Sequence, residues 1–209
     1  KIYIMNRVIH ASDVKLNFPE IKKVWARMLE GYFDNGGKLK EKCVVHVICP
    51  YCGANDYYDE FIINRFKHVT CNSCETVYVT PRLRDQYIDE LYSDEYYSEL
   101  YINSMIPVFE KRKKLIGLRK FKQILEFSSG KGSVLDIGCG IGEVIDVFKD
   151  NEWDCHAIEV NPRAIKWLRE KKINVFDGHF NNYEFNEEFD VVMAWGVIEH
   201  IVDPVMFLE

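Results

Sequence analysis

The sequence SVLDIGCGIGE, residues 133–143, joins a short apolar strand to a glycine-rich loop. Residues 133–137 have the apolar, β-branched character of a buried strand. The glycines at 138, 140 and 142 allow the backbone to turn sharply and to approach a ligand closely. A helix predicted over residues 143–150 would direct its positive N-terminal end toward that ligand. The pattern therefore predicts a ligand site where this strand ends.

Outward from this loop, the sequence alternates between strands and helices. We predict further strands over 155–160, 173–176 and 189–195, and a helix over 162–172 that begins with Pro162. Strands alternating with helices indicate an α/β fold with a parallel sheet. We therefore expect a Rossmann-like, doubly wound parallel sheet, of which these residues supply four strands.

The glycine spacing indicates which ligand suits the loop. A dinucleotide site has the pattern G-x-G-x-x-G, whereas here the third glycine comes one residue earlier and Glu143 follows it. A pyrophosphate would meet that carboxylate, so a ligand without phosphates, such as S-adenosylmethionine (SAM), fits better. Glu159 ends the next predicted strand, 21 residues after Gly138, where this class of fold places an acid on the ribose hydroxyls.

Three motifs resemble those of class I SAM-dependent methyltransferases of the type 11/12/23 group. They are VLDIGCGIGE (134–143), AIEVNP (157–162) and FDVVMAWGVIEHIVDP (189–204), and the resemblance covers about residues 105–209. It implies methyl transfer from SAM, with small-molecule acceptors such as sugars or glycan-related metabolites. The family's sheet has seven strands, so we expect this chain, with four, to be part of a longer protein.

The resemblance also implies a role for individual residues. The methionine end of SAM would lie against the glycine loop, the ribose against the end of the second strand, adenine after the third strand, and the sulfonium beside the end of the fourth. In that order the implied residues are Asp136, Gly138, Cys139 and Gly140; Glu159 and Val160; Asp177, Gly178 and Phe180; and Trp195 and Gly196.

Glu199 and His200 follow the fourth predicted strand and are the candidate catalytic residues. Histidine is suited to removing a proton from an acceptor near neutral pH. The alternative is that the pair caps a helix and shapes the pocket without taking part in chemistry. A metal-binding Glu that some relatives carry three residues before the pair is replaced here by Gly196.

Two Cys-x-x-Cys pairs precede the predicted sheet. Cys49 and Cys52 are separated from Cys71 and Cys74 by 18 residues, the spacing of a structural zinc site. With all four positions filled by protein, the metal would be structural, Zn²⁺ or alternatively iron. The surrounding sequence resembles the zinc ribbon joined to many bacterial and archaeal methyltransferases of this group.

These patterns divide the chain into four predicted segments. They are an N-terminal helical segment (1–42, with a helix over 19–32), the zinc ribbon (43–81), a helical linker or cap (82–128) and the first half of the SAM-binding domain (129–209). The linker carries a run of cations between Lys111 and Lys122. This run is either a patch for an anionic partner or a solvated helix face, and we favour the second.

Composition limits the remaining possibilities. The chain has a net charge of −6, which disfavours nucleic-acid binding, and no apolar run long enough to span a membrane. Without a recognisable signal peptide, a cytoplasmic protein is the expectation. Two other functions stay open: an RNA or protein methyltransferase that holds a macromolecule on its ribbon and basic helix, and a non-catalytic SAM- or zinc-binding module. The oligomeric state is not indicated.

Overall fold

The computed structural model describes residues 18–128, 130–201 and 203–208. Two compact units form: a ribbon unit made of residues 23–94 and 198–209, and a sheet unit dominated by residues 95–197. Residues 1–17 of the predicted N-terminal segment lie outside the described residues, and the four predicted domain boundaries stay predictions. No helix in the described ranges is both long and apolar enough to cross a membrane.

The ribbon unit contains short strands between two helices. Its elements are α1 (Phe18–Glu30, whose residues from Lys23 onward belong to this unit), β1 (Val44–Val45), β2 (Tyr57–Ile63), β3 (Phe66–Cys71), β4 (Val77–Val79), β5 (Arg82–Leu83) and α2 (Asp85–Ser93). Strands β2, β3 and β4 form an antiparallel sheet in that order, and β1 pairs with β5. Both helices pack on one apolar cluster, which includes Leu29, Cys43 and Leu91.

The sheet unit follows from α3 onward. Its elements are α3 (Glu95–Met105), α4 (Phe109–Arg112), a π-helical turn (Lys113–Gly117), α5 (Leu118–Leu125), β6 (Ser133–Ile137), α6 (Ile145–Asp150), β7 (Asp154–Glu159), α7 (Pro162–Glu170), β8 (Asn174–Asp177) and β9 (Val191–Ala194). A further helix, α8 (Pro204–Leu208), belongs to the ribbon unit.

The four strands of the sheet unit are parallel and lie in the order β8-β7-β6-β9. Val134 and Leu135 of β6 are fully buried at its centre, and helices α5, α6 and α7 contribute to the same core. The chain moves outward from β6 to β8 and then returns to the other side of β6 with β9. This reversal is the switch point at which open α/β sheets bind ligands, so the predicted fold is confirmed.

Two helices of this unit show how local sequence sets their ends. Helix α7 begins at Pro162 because Asn161 caps it, accepting hydrogen bonds from the backbone N–H groups of Arg163 (3.0 Å) and Ala164 (3.2 Å). Helix α6 begins at Ile145, two residues later than predicted, because the glycine loop continues as a turn through residues 141–144.

Candidate active site and metal centre

The glycine loop follows β6 and requires glycine by its backbone conformation. Gly138, Gly140 and Gly142 have φ angles of +68°, +57° and +75°. At Gly142 a side chain is excluded twice, because a Cβ atom would also lie 2.5 Å from Cδ2 of Leu168 in α7. The N–H of Gly138 donates to the carbonyl of Ile158 in β7 (2.8 Å), which ties the loop to the neighbouring strand.

Glu159 ends β7 beside this loop. Its buried carboxylate accepts hydrogen bonds from the N–H groups of Gly140 (2.7 Å), Val160 (2.8 Å) and Asn161 (2.8 Å). Burial raises the pKa of this carboxyl, and the three hydrogen bonds oppose that effect. The structure thus brings the predicted ribose acid and the glycine loop together, with the acid oriented by three backbone donors.

Asp136 lies in β6 just before the loop and is only 2% exposed. Its Oδ1 atom has no hydrogen-bond partner among the described residues. Burial raises the pKa of Asp136 well above its usual range; the charges of Glu143 and Glu159 act in the same direction, and that of Lys120 acts against them. A buried acceptor without a donor is costly, so the site suits a ligand that brings a donor, as the ammonium group of SAM does.

Cys139 lies within the loop and packs against the core of the sheet unit. Burial raises the pKa of its thiol well above the usual value, and the nearby charges of Asp136, Glu159 and Glu143 add to the effect. The thiol is therefore neutral at physiological pH, which does not suit a nucleophile.

The segment after β8 also lies against Glu159. The N–H of Gly178 donates to the backbone carbonyl of Glu159 (3.0 Å). Asp177 is exposed and its carboxylate contacts Arg169 at 3.4 Å. Phe180 begins a 3-10 turn, and its ring lies 4.5 Å from that of His179. The adenine candidates therefore stand next to Glu159, as their order in the sequence requires.

The segment after β9 lies against the glycine loop. A Cβ atom on Gly138 would be 2.6 Å from Cγ2 of Val197, so the two segments touch at that point. Trp195 is 39% exposed, and Nζ of Lys120 lies 4.2 Å from the centre of its ring. The predicted methionine and sulfonium residues thus belong to one edge of the sheet.

Glu199 and His200 belong to the ribbon unit, within a 3-10 turn over Ile198–His200. Nδ1 of His200 is 3.1 Å from the hydroxyl of Tyr92 in α2, and the two rings meet edge to face at 5.0 Å. Burial lowers the pKa of His200, and the charge of Glu199 partly opposes this. Their catalytic role stays a prediction.

The sequence predicts that the tyrosine-rich helix packs against the SAM-binding domain, but it did not identify the residues by which α3 contacts the glycine loop. Ile102 and Met105 of α3 pack in one cluster with Ile141 of the loop, and the indole N–H of Trp167 donates to the Ile141 carbonyl (3.1 Å). Tyr101 is partly buried there, and this desolvation raises its pKa, while the charges of Arg112, Glu143 and Glu159 also act on it. The sequence signal for this contact is the tyrosine-rich helix that precedes the glycine motif.

Part of the basic run is not the solvated face that we expected. Arg112 forms an ion pair with Glu143, and both side chains are nearly buried. Lys113 pairs with Asp146 at 2.6 Å and also with Asp150. The expectation is wrong for these residues because their partners lie 31 to 37 positions later in the chain. The charge of Glu143, which we took as an argument against a pyrophosphate, is thus matched by Arg112.

The four predicted cysteine ligands meet in the ribbon unit. Their sulfur atoms all lie within 4.8 Å of one another, with Cys49–Cys74 and Cys52–Cys71 each at 3.5 Å. Four sulfurs at about 2.3 Å from a tetrahedral metal are separated by about 3.8 Å. The four thiols therefore fit one metal ion.

The two Cys-x-x-Cys turns, at residues 49–52 and 71–74 and called knuckles below, have the same backbone geometry. Gly53 donates its N–H to the Cys49 carbonyl (3.0 Å), and Glu75 donates to the Cys71 carbonyl (3.0 Å). Both take the left-handed conformation, with φ of +73° for Gly53 and +61° for Glu75. The second knuckle therefore closes in the same way as the first although it lacks the glycine.

The comparisons with known proteins agree with this geometry. Residues 108–209 match the family model described as a methyltransferase domain. A search of curated protein sequences found no match.

Three similar solved structures are given below, and this chain spans half or less of the length of each of them. The plantazolicin methyltransferase BpumL in complex with SAH is 20% identical with a TM-score of 0.47, over 57% of this chain and 49% of that one. The glycopeptide N-methyltransferase MtfA is 18% identical with a TM-score of 0.34, over 38% and 42%. The PH0226 protein from Pyrococcus horikoshii OT3 is 21% identical with a TM-score of 0.35, over 53% and 50%.

The family match falls on the residues that build the parallel sheet, the glycine loop and the acid at the end of β7. Over residues 108–209, just under half of the chain, the sequence therefore matches the methyltransferase-domain family, which supports a class I SAM-dependent methyltransferase.

Proposed function

We propose that the chain takes part in methyl transfer from SAM to a small-molecule acceptor, of which a sugar or a glycan-related metabolite is the leading candidate. The observation that carries the proposal is the hydrogen bond between the N–H of Gly140 and the Glu159 carboxylate (2.7 Å). It joins a loop suited to the methionine end of SAM to an acid suited to ribose hydroxyls. Bound SAM supplies an electrophilic methyl group on its sulfonium.

The residues of the sheet unit bind and align the cofactor in this proposal. Asp136, Gly138, Cys139 and Gly140 line the methionine end, Glu159 and Val160 hold the ribose, Asp177, Gly178 and Phe180 border adenine, and Trp195 and Gly196 border the sulfonium. Val160 is 53% exposed and so is open to a ligand. Alignment of this kind contributes much of the rate enhancement when the reacting atoms are already bound.

His200 is the proposed base, with Glu199 beside it. The support is its position after the fourth strand, together with a pKa that partial desolvation lowers, so that the imidazole can accept a proton at neutral pH. The Tyr92 hydroxyl, 3.1 Å from Nδ1, fixes the orientation of the ring.

Calorimetry with SAM and S-adenosylhomocysteine tests the proposal. We expect saturable binding by the wild-type chain and a loss of at least about tenfold for Glu159→Ala, since charged hydrogen bonds contribute about 1.5–3 kcal/mol. Glu152→Ala, at an exposed acid in the turn before β7, is the matched control and should bind normally. Isotope-labelled SAM with pooled sugar, peptide and RNA acceptors then identifies the acceptor class. A wild-type chain that binds neither ligand contradicts the proposal.

We also propose that Cys49, Cys52, Cys71 and Cys74 hold one structural Zn²⁺. The support is the close approach of the four sulfurs, together with the Thr76 hydroxyl 3.2 Å from Sγ of Cys74 and the Ser73 N–H 3.4 Å from Sγ of Cys71. Elemental analysis should find one zinc per chain, reduced by Cys74→Ser and unchanged by Cys155→Ser. Iron in place of zinc would show as a coloured protein.

A further inference from the structure

A cavity of about 1500 Å³ lies within the ribbon unit. Its walls come from the first knuckle, from strands β3, β4 and β5, from helices α1 and α2, and from residues 198–201 and 203–208. The residues that line it all belong to this one unit. Most small-molecule sites measure roughly 300–1,000 Å³, so this cavity has room for an extended molecule.

Large apolar side chains are exposed to solvent along the cavity wall. Ile48 beside the first knuckle, Val77 of β4 and Ile198 after the sheet are aliphatic, yet each is about half exposed. Exposed aromatic and aliphatic neighbours on the same wall are Tyr51, Tyr92 and Val205. Covering such a surface with an apolar group is favourable, and exposed apolar side chains that lie together mark binding sites. The wall therefore indicates a ligand with an apolar portion.

The charged groups of the wall disfavour an anionic ligand. Arg82 is the one arginine or lysine among the described residues that line the cavity, and its guanidinium is paired with Asp85 at 2.9 Å. Glu199 and Asp203 add two carboxylates to the wall. Histidine, the other basic residue type there, is largely neutral above pH 7. A phosphate or carboxylate of a ligand would therefore meet more negative than positive charge.

One part of the wall is polar and carries the proposed base. Glu199 and His200 both line the cavity, as does Tyr92, whose hydroxyl lies 3.1 Å from Nδ1 of His200. Small-molecule sites typically combine an apolar lining with a few polar groups that orient the ligand. A ligand whose apolar portion fills this cavity would therefore present a polar group to His200.

We propose that the cavity binds the apolar portion of an uncharged methyl acceptor, with the acceptor's hydroxyl group at His200. The inference rests on the proposed function and narrows the acceptor to a neutral amphipathic molecule, such as a glycoside with an alkyl or aromatic substituent. Free sugars lack the apolar portion. Sugar phosphates and sugar nucleotides carry a charge that Glu199 and Asp203 disfavour.

Three probes separate the parts of this inference. Octyl glucoside and methyl glucoside share the sugar and differ in the alkyl chain, whereas octyl phosphate keeps the chain and carries negative charge. By calorimetry below the micelle concentrations, we expect the wild-type chain to bind octyl glucoside at least about tenfold more tightly than either of the others. The longer chain buries more apolar surface than the methyl group, and the phosphate meets like charge.

Two substitutions place a carboxylate on the cavity wall at exposed positions. Ile48→Asp and Val77→Asp should each weaken octyl glucoside binding at least about fivefold, because the alkyl chain would desolvate the new charge. Ile62→Asp is the matched control, at an exposed isoleucine of β2 outside the wall, and should bind as the wild type does. Thermal melting should confirm that every variant is folded.

Equal binding of octyl and methyl glucoside, or equal losses in Ile48→Asp and Ile62→Asp, would overturn this inference and leave the proposed function standing. A wild-type dimer that Ile48→Asp converts to a monomer would also overturn it, because a second copy would then fill the cavity. The same holds if labelled SAM modifies only free sugars or anionic acceptors. If the wild-type chain binds neither SAM nor S-adenosylhomocysteine, both the inference and the proposed function are overturned.

Discussion

At the scale of single residues, Glu75 takes a left-handed backbone conformation that glycine usually provides. It closes the second knuckle at φ +61°, where Gly53 closes the first at +73°. A left-handed conformation costs a non-glycine residue about 1–2 kcal/mol. The knuckle accepts this cost because the resulting turn places the N–H of Glu75 on the Cys71 carbonyl.

Glu75→Gly should therefore stabilise the metal-loaded ribbon. We expect the free energy of unfolding to rise by up to about 1 kcal/mol, since the entropy that glycine loses on folding offsets part of the relieved strain. Thermal melting of the zinc-loaded chain measures this. Gly53→Ala is the matched reverse change and should lower the melting temperature. A lower melting temperature for Glu75→Gly would show that the glutamate side chain makes a larger contribution than the backbone strain costs.

His200 allows a prediction about pH. Its folded-state pKa lies below the usual 6.5, chiefly because of burial, so protonation disfavours the folded state. The stability it contributes is present above pH 6.5 and is lost as the pH falls through the lowered pKa. If His200 is the base, kcat/KM falls through the same range.

The variant His200→Ala should remove that acidic limb and lower kcat/KM by about 10²- to 10⁴-fold at neutral pH. His179→Ala is the control, at an exposed histidine after β8, and should leave the profile unchanged. An unaltered profile and full turnover in His200→Ala would exclude the histidine from the mechanism.

At the scale of elements, the segment from α4 to α5 forms ion pairs with the end of the glycine loop and with helix α6 after it. Arg112 pairs with Glu143, Lys113 pairs with Asp146 and Asp150, and a Cβ atom on Gly117 would lie 2.0 Å from the Glu143 carbonyl. Such a close approach of backbones makes this segment a support for the glycine loop.

Arg112→Met should destabilise the sheet unit by roughly 3 kcal/mol, because it leaves the Glu143 carboxylate nearly buried without a cation. Chemical denaturation followed by circular dichroism measures the change. The double variant Arg112→Met with Glu143→Met should recover most of the loss, since it removes both charges. Lys114→Met, at an exposed neighbour, should change stability by less than about 0.5 kcal/mol. Equal losses in Arg112→Met and Lys114→Met would contradict a structural ion pair.

The elements that sequence predicted best are those with local causes. Strand β6 was predicted at its observed bounds because its apolar run ends at a glycine, and α7 began where Asn161 and Pro162 required it. The ion pairs of the basic run could not be predicted, because residues 31 to 37 positions away become neighbours only in the folded sheet unit. For the same reason, no motif pointed to Lys120 or to its contact with Trp195.

At the scale of the whole molecule, the net charge favours a small-molecule acceptor over RNA. The chain carries a net charge of −6, and part of its basic run is paired with acids of the sheet unit. Arg112 pairs with Glu143, Lys113 pairs with Asp146 and Asp150, and Lys120 lies on the Trp195 ring. A protein binds RNA phosphates through exposed lysines and arginines, and these contacts release counterions from the RNA.

We therefore expect the chain to lack salt-dependent affinity for RNA. Fluorescence anisotropy with labelled single-stranded and duplex RNA, at about 50 and about 200 mM salt, should show no saturable binding at micromolar protein, because the net charge of −6 repels phosphates and two cations of the basic run are already paired. The variant carrying Lys111→Glu and Lys114→Glu should behave as the wild type. Tight binding at the lower salt that is lost at the higher salt, and abolished by this double reversal, would instead favour a macromolecular acceptor held on the linker helices.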